Sequence, residues 1–213
     1  LKPSPSCPLC EKSEGQILEV QNPDATYFGC GICDLISMDR SLLLTSPEER
    51  SRYDLHENSA EDVRYLNFLK PVFDEVCQRK KAPAKGLDFG AGPGPALAKM
   101  LEEAGFEMAL YDPFFWPQKE VLEATYDFVV STEVIEHLYE PHKEFQRLRE
   151  LLNPGGVLVV MTSLHSPQTD FQNWHYRRDP THVSFYSEST MEWIQKHFGF
   201  QSFEIKGKVT IFQ

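Results

Sequence analysis

Lys85-Gly86-Leu87-Asp88-Phe89-Gly90-Ala91-Gly92-Pro93-Gly94-Pro95 is the stretch on which the reading of this chain turns. A short apolar lead-in, an acid, three alternate glycines and a helical run from Ala96 predict a strand that turns tightly into a helix. Glycine suits such a turn because φ > 0 is open without a Cβ and because a ligand can come close to the main chain. Pro95 fits the first helical turn, where a missing N–H is harmless. The spacing excludes two common phosphate binders. A dinucleotide fingerprint, G-x-G-x-x-G, would need its third glycine at Pro95, and a P-loop would end in Gly-Lys-Ser/Thr, which is absent. A plain glycine turn without a ligand remains the bland alternative.

Downstream, Ala96 to Ala104 has helical spacing and stops at Gly105, and a strand follows through Met108 and Tyr111. Asp112 stands at the carboxyl end of that strand, where open α/β sheets bind ligands. A carboxylate there can accept both hydrogens of a ribose diol, or simply form a turn. Tyr126 to Ser131 reads as a buried central strand. After it, Thr132-Glu133-Val134-Ile135-Glu136-His137-Leu138 places Glu133, Glu136 and His137 on one face if the segment is helical. Pro141 to Leu152 is the next helix, ended by Asn153-Pro154-Gly155-Gly156, and Val157 to Met161 is a further buried strand.

The D-x-G-x-G-x-G pattern of Asp88 to Gly94 resembles motif I of the class I S-adenosylmethionine (AdoMet) methyltransferases, and the N-P-G-G turn before an apolar strand is a second shared feature. The resemblance implies a Rossmann-like, doubly wound α/β sheet over residues 45–213. It assigns Asp88, Gly90, Ala91, Gly92 and Gly94 to the methionine end of AdoMet, Asp112 to its ribose, and Ser131 and Glu133 to its neighbourhood. Family members usually carry another strand and helix between Asp112 and Tyr126. This chain is too short there for both, so the sheet is expected to lack one strand, with Phe114, Phe115 or Trp116 walling the adenine. Helices around Ser46-Pro47-Glu48-Glu49 and from Ala60 to Lys80, split or kinked at Pro71, are expected to cover the cofactor. The first is read as running to His56-Glu57-Asn58, with Tyr53 a core aromatic in the first place and a ligand contact in the second.

The E-V-I-E-H-L stretch also looks like that of the ubiquinone-pathway O-methyltransferases and of enzymes that methylate the ribose at small-RNA 3′ ends. By that likeness Glu133, Glu136, His137 and the later His182 are a tentative second divalent-metal site. Two carboxylates with imidazoles suit a hard to borderline ion, which would orient and acidify an acceptor hydroxyl. Without metal, His137 and His182 are candidates for proton transfer. A structural role is the third possibility.

Cys7-Pro8-Leu9-Cys10 and Cys30-Gly31-Ile32-Cys33, with nineteen residues between them, have the spacing of a four-thiolate zinc ribbon over residues 1–40. So small a segment has little core, and Zn²⁺ would supply the stability it lacks. A redox pair or unlinked thiols are the alternatives. Cys77 lies among Val72, Phe73 and Val76 and reads as a buried thiol.

Residues 163–186 are too long and too aromatic for a passive connection. Trp174, His175, Tyr176, Arg177 and Arg178 are therefore candidate acceptor-pocket residues, with Arg177 or Arg178 for an anionic group; a packed lid that uses the aromatics as its own core is the equal alternative for each of them. A last helix capped by Ser187 and two antiparallel strands, Ser202 to Lys206 and Val209 to Phe212, complete the chain.

A net charge of −11 argues against a large nucleic-acid footprint, and the one basic run, Arg79-Lys80-Lys81, reads as a solvated helix end. There is neither a signal-peptide pattern nor an apolar run approaching the ~18 residues of a membrane span, so a cytoplasmic protein without membrane contact is expected. The leading expectation is methyl transfer to a small-molecule hydroxyl, amine or carbon. RNA methylation is the first rival, because some ribosomal-RNA methyltransferases also begin with four cysteines. Against it stand the acidic balance and Ser131-Thr132-Glu133-Val134, where exocyclic-amine methylators carry Asn/Asp-Pro-Pro-aromatic. A non-catalytic AdoMet-binding or scaffold protein is the second rival.

Overall fold

The computed structural model describes residues 5–21, 23–54 and 62–213. In chain order the elements are β1 (Gly15–Val20), β2 (Ala25–Cys30), β3 (Ile36–Met38), α1 (Ser46–Tyr53), α2 (Val63–Arg79), β4 (Lys85–Phe89), α3 (Ala96–Glu103), β5 (Glu107–Tyr111), β6 (Tyr126–Thr132), α4 (Pro141–Glu150), β7 (Leu152–Met161), β8 (Ser184–Phe185), α5 (Glu188–His197), β9 (Phe203–Lys206) and β10 (Val209–Phe212). The main sheet has the order β5-β4-β6-β7-β10-β9. β4 to β7 pair in parallel, and β10 is antiparallel to both β7 and β9. Residues 113–125 hold one 3-10 turn, Lys119–Leu122, and no strand, so the sheet is short by one strand on that side as the length predicts.

The central strands are apolar on both faces because helices cover both. Phe128, Val130, Val157 and Val159 pack with Leu69, Val72 and Val76 of α2 and Leu97 and Leu101 of α3. Their neighbours Val129, Leu158 and Val160 point the other way, toward Phe145 and Leu148 of α4 and Met191 and Ile194 of α5. This two-residue alternation is what the pleat imposes. It stacks the strands so that the carboxyl ends of β4, β5 and β6 meet at one edge.

Several local expectations change. The cap of α1 is Thr45, one residue before the Ser46-Pro47-Glu48-Glu49 start signal: the Glu48 carboxylate accepts from the Thr45 N–H at 2.8 Å and from its hydroxyl at 2.6 Å. α2 runs unbroken through Pro71, which sits on its exposed side. Cys77 is exposed, because one step past buried Val76 turns the side chain about 100° away from the sheet. Val63 is also exposed. Arg79 is no solvated end; it pairs with buried Glu75 and with Glu204, and Lys80 donates to the Gly155 carbonyl at 2.8 Å. β7 begins already at Leu152, so Asn153-Pro154-Gly155-Gly156 lies within the strand, opposite a register shift in β6. Leu55, His56-Glu57-Asn58, Ala60 and Asn22 fall outside the described residues.

The amino-terminal module is joined to the larger sheet's domain by more than a linker. β1 to β3 form an antiparallel meander, and β3 pairs with β8 from the other end of the chain, Ile36 opposite Phe185 and Ser37 opposite Ser184. Its four cysteines, Leu9, Phe28 and Leu35 belong to the same apolar cluster as Leu87, Val129 and Leu158. His142 of α4 binds the Leu9 carbonyl through Nδ1 at 2.7 Å, and Ser187 donates to Asp34 at 2.6 Å. A segment too small for a core of its own thus shares its neighbour's. Among the described residues no helix is long and apolar enough to cross a membrane.

Candidate active site

A cleft of about 850 Å³ opens at the carboxyl ends of β4, β5 and β6. Its floor is the glycine loop. Gly90 has φ +85°, and a Cβ there would lie 2.4 Å from Val134, so both conformation and packing demand glycine. Gly92 has φ +61° and no atom within 4 Å of where a Cβ would sit. Open space over exposed main chain is the form a ligand cradle takes. The loop is held from below: the N–H groups of Gly90 and Ala91 both donate to the Tyr111 carbonyl, at 2.8 and 3.1 Å.

Asp112 performs the turn-forming role. Its Oδ2 accepts from the Gly92 N–H at 3.1 Å, and its Oδ1 from the N–H groups of Phe114 and Phe115 at 2.8 and 3.1 Å. The indole of Trp116 donates back to the Gly92 carbonyl at 2.8 Å. Of the three expected wall residues, Phe114 and Phe115 line the cleft, while Trp116 braces it from behind. Gly94 and Ala91 line it too. Asp88 faces the cleft at 3 % exposure, and its Oδ1 has no hydrogen-bond partner. Burial first, and the charge of Asp112 second, push its carboxyl up to about 7.

At the other end of the cleft stand the two histidines. The 132–138 segment is not an α-helix: Glu133 has φ +51° and only Ile135–His137 winds into a 3-10 turn. The expected shared helical face therefore does not form. Glu136 turns fully inward, whereas Glu133 and His137 line the cleft. Donor atoms of Glu136, His137 and His182 still converge within 4.8 Å of one another, and Glu133 is not one of that group. His137 Nδ1 lies 2.9 Å from the Thr181 carbonyl and His182 Nδ1 2.6 Å from the Tyr176 carbonyl. A carbonyl only accepts, so each ring carries its proton on Nδ1 and presents Nε2 as the basic nitrogen. Burial, then His137, lowers the pKa of His182. Glu133 is raised to about 7 by burial and by Glu136. The ring of Tyr53 meets His137 edge-on at 5.4 Å and Phe114 at 5.7 Å, so α1 roofs the middle of the cleft.

Other sequence-predicted site residues lie elsewhere. Ser131 is wholly buried inside β6 behind the cleft. Among the described residues lining the cleft there is none of Trp174, His175, Tyr176, Arg177 or Arg178. Arg177 is 1 % exposed and spends its guanidinium on main-chain carbonyls of Phe171, Gln172, Pro23 and Gln21. Trp174 packs with Phe171 and Phe185, and His175 and Arg178 face solvent. The loop's aromatics are a core between this domain and the module. Tyr176 reaches the site indirectly: its hydroxyl donates to Glu136 and lies 3.3 Å from Glu133 Oε2. Glu49, Tyr65, Phe68, Tyr139 and Arg147 line the cleft without having been singled out. Helical periodicity gives α2 and α4 their buried faces but not which turn overlooks the strand ends, and α1 has no buried residue to mark a face.

The four cysteines make a second constellation. Their sulfurs lie within 4.8 Å of one another, Cys7 and Cys33 at 3.5 Å and Cys10 and Cys30 at 3.3 Å, all buried. These separations exceed the roughly 2.05 Å of a disulfide and approach the roughly 3.8 Å tetrahedron edge that follows from 2.3 Å Zn–S bonds. Burial pushes the Cys10 thiol up to about 12, while the hydrogen bond from Cys33 draws Cys7 down to about 6. A dication would relieve that crowding, so the residues fit Zn²⁺.

A strand-order reversal beside β4, a glycine loop there and an acid ending β5 together define a methyltransferase-type α/β domain. The family profile described as a methyltransferase domain matches residues 59–204, and the chain belongs to that family. It is 27% identical over 97 residues to the ubiquinone biosynthesis O-methyltransferase of Sodalis glossinidius, covering 46% of this chain and 39% of that one. The Cronobacter sakazakii enzyme of the same name is 28% identical over 91 residues, 43% and 37% of the two chains. The match thus spans less than two fifths of these relatives' length. Among solved structures, an O-methyltransferase family protein from Burkholderia thailandensis superposes with a TM-score of 0.51 at 15% identity, covering 77% of this chain and 61% of the other. A Haemonchus contortus phosphoethanolamine N-methyltransferase, solved with S-adenosylhomocysteine, gives 0.50 at 18% identity, covering 64% and 38%. These two likenesses establish the fold.

Proposed function

We propose that this chain transfers the methyl group of AdoMet to a small-molecule hydroxyl, amine or carbon. One observation carries the reading: a single cleft has an open glycine cradle with a buried, unpartnered carboxylate oxygen at one end and two Nδ1-protonated imidazoles at the other. AdoMet supplies an already activated methyl group. The protein's part is to align donor and acceptor and to take up a proton. Asp88, Gly90, Ala91, Gly92 and Gly94 would hold the methionine end, Asp112 the ribose, and Phe114 with Phe115 the adenine. The acceptor's one proton passes to Nε2 of His137 or of His182. Cys7, Cys10, Cys30 and Cys33 hold a structural Zn²⁺, and reduced cysteines of this kind suit a cytoplasmic setting.

A second reading of the histidine end is a divalent cation on Glu136, His137 and His182. It is favoured by their convergence and by Glu136 Oε2, which is buried without a hydrogen-bond partner. Carbonyls bound to both Nδ1 atoms are the outer partners that metal-ligating histidines usually have. Methylation of RNA is disfavoured by the net charge of −11.

Calorimetry with S-adenosylhomocysteine tests the cofactor assignment: one equivalent should bind, and no uptake by folded protein rules it out. Once an acceptor is found, His137→Ala and His182→Ala should each lower kcat at least tenfold with the AdoMet KM little changed; undiminished turnover removes the histidines from the chemistry.

A further inference from the structure

Residues 171–178 face two ways. On one side they grip the four-cysteine module. Buried Arg177 donates to the Gln21 and Pro23 carbonyls in the β1–β2 turn as well as to Phe171 and Gln172 in its own loop. The Gln172 amide adds a bond to Gln21 O at 2.9 Å. Phe171 meets Tyr27 edge-on at 5.1 Å, and Trp174 and Tyr176 share an apolar cluster with Val20 and Tyr27. A guanidinium offers five donors and no acceptor in a rigid fork, so one that is buried on carbonyls from two chain segments fixes those segments to each other.

On the other side the same loop holds the histidine end of the cleft. The Tyr176 carbonyl accepts a hydrogen bond from the Nδ1–H of His182, and the Tyr176 ring lies 4.3 Å from that imidazole. Its hydroxyl joins Glu136, Glu133 and, at 3.0 Å, Thr162. The cofactor end hangs instead from β4 and β5 through Tyr111 and Asp112.

We propose that Tyr176 is a positioning residue which sets the tautomer of His182 and the placement of the Glu133–Glu136 pair, and that the metal-bearing module holds it there through Arg177. This rests on the role given above to His182. Metal in the module is then felt at the histidine end and not at the glycine loop.

The test uses the whole chain uniformly labelled with ¹⁵N and ¹³C, Zn²⁺-loaded or dialysed against a chelator. Imidazole nitrogen spectra report the His182 tautomer, amide exchange at Gly90 reports the glycine loop, and calorimetry reports S-adenosylhomocysteine affinity. Loaded wild-type protein should show His182 as one Nδ1-protonated species. Chelation, and separately Arg177→Lys with metal retained, should convert it to a tautomer mixture while Gly90 exchange and cofactor affinity stay within threefold. Tyr176→Phe keeps carbonyl and ring, so it should keep the His182 tautomer but move the side-chain carboxyl resonances of Glu133 and Glu136. An unchanged His182 spectrum after both chelation and Arg177→Lys overturns the proposal. So does a loss of Gly90 protection in step with it, because the whole fold has then given way. Failure of loaded wild-type protein to bind S-adenosylhomocysteine would overturn the proposed function instead, and the tautomer result would still decide the role of Tyr176.

Discussion

The main-chain N–H of Gly92 donates to the Asp112 carboxylate at 3.1 Å, so the glycine loop after β4 and the turn after β5 are one hydrogen-bonded unit. Removing that carboxylate leaves three N–H groups, those of Gly92, Phe114 and Phe115, without their acceptor. Asp112→Ala should therefore lower stability by roughly 2–3 kcal/mol and weaken S-adenosylhomocysteine binding more than tenfold. Chemical denaturation and calorimetry read the two effects separately.

The two positive-φ glycines of the loop should respond differently to alanine. At Gly90 the new Cβ would run into Val134 at 2.4 Å, so the free protein should lose several degrees of Tm. At Gly92 there is room, and only the backbone strain of about 1–2 kcal/mol is added. Gly92→Ala should fold but bind cofactor at least tenfold more weakly, because the methyl occupies the approach to the main chain. Thermal melts with and without S-adenosylhomocysteine distinguish the two.

Asp88 gives the protein a pH dependence of definite sign. Its carboxyl is raised to about 7 in the folded chain, against about 4 when unfolded. The folded state thus holds the extra proton between those values, and stability falls as pH climbs from about 4 to about 7. Asp88→Asn should match wild type near pH 4, exceed it in Tm at pH 8, and flatten that slope. In wild type the cofactor's ammonium should drive the proton off. Binding would then release protons at pH 6, measurable by calorimetry in buffers of different ionisation enthalpy, and Asp88→Asn should abolish the release.

Metal content discriminates the two candidate centres. Elemental analysis should give one Zn²⁺ per chain, lost on Cys7→Ser together with Cys30→Ser. A second equivalent that survives those changes and disappears with Glu136→Gln would establish the cation at the histidine end.

The sheet, the glycine loop and the missing strand were legible because each has a local signature: uninterrupted apolar runs, alternating glycines, and too few residues between Asp112 and Tyr126. Cys77 and the helix at 133–137 were misread because periodicity extrapolates a regular helix. A positive φ at Glu133 and a one-residue step past Val76 break that regularity without any compositional sign. The loop at 171–178 stayed divided between a pocket and a packed core for another reason. Aromatic and cationic side chains look the same whether they face a ligand or another chain segment, and only the long-range pairing that seats Arg177 on Gln21 decides it.

The pairing of Ile36 with Phe185 also bears on synthesis. The ribosome makes the cysteine module first, yet the strand that completes its sheet emerges some 150 residues later. Until then β3 offers a bare row of peptide groups, an invitation to stick to other nascent chains. Truncations that stop short of Ser184 should be recovered as aggregates, and the full chain should not.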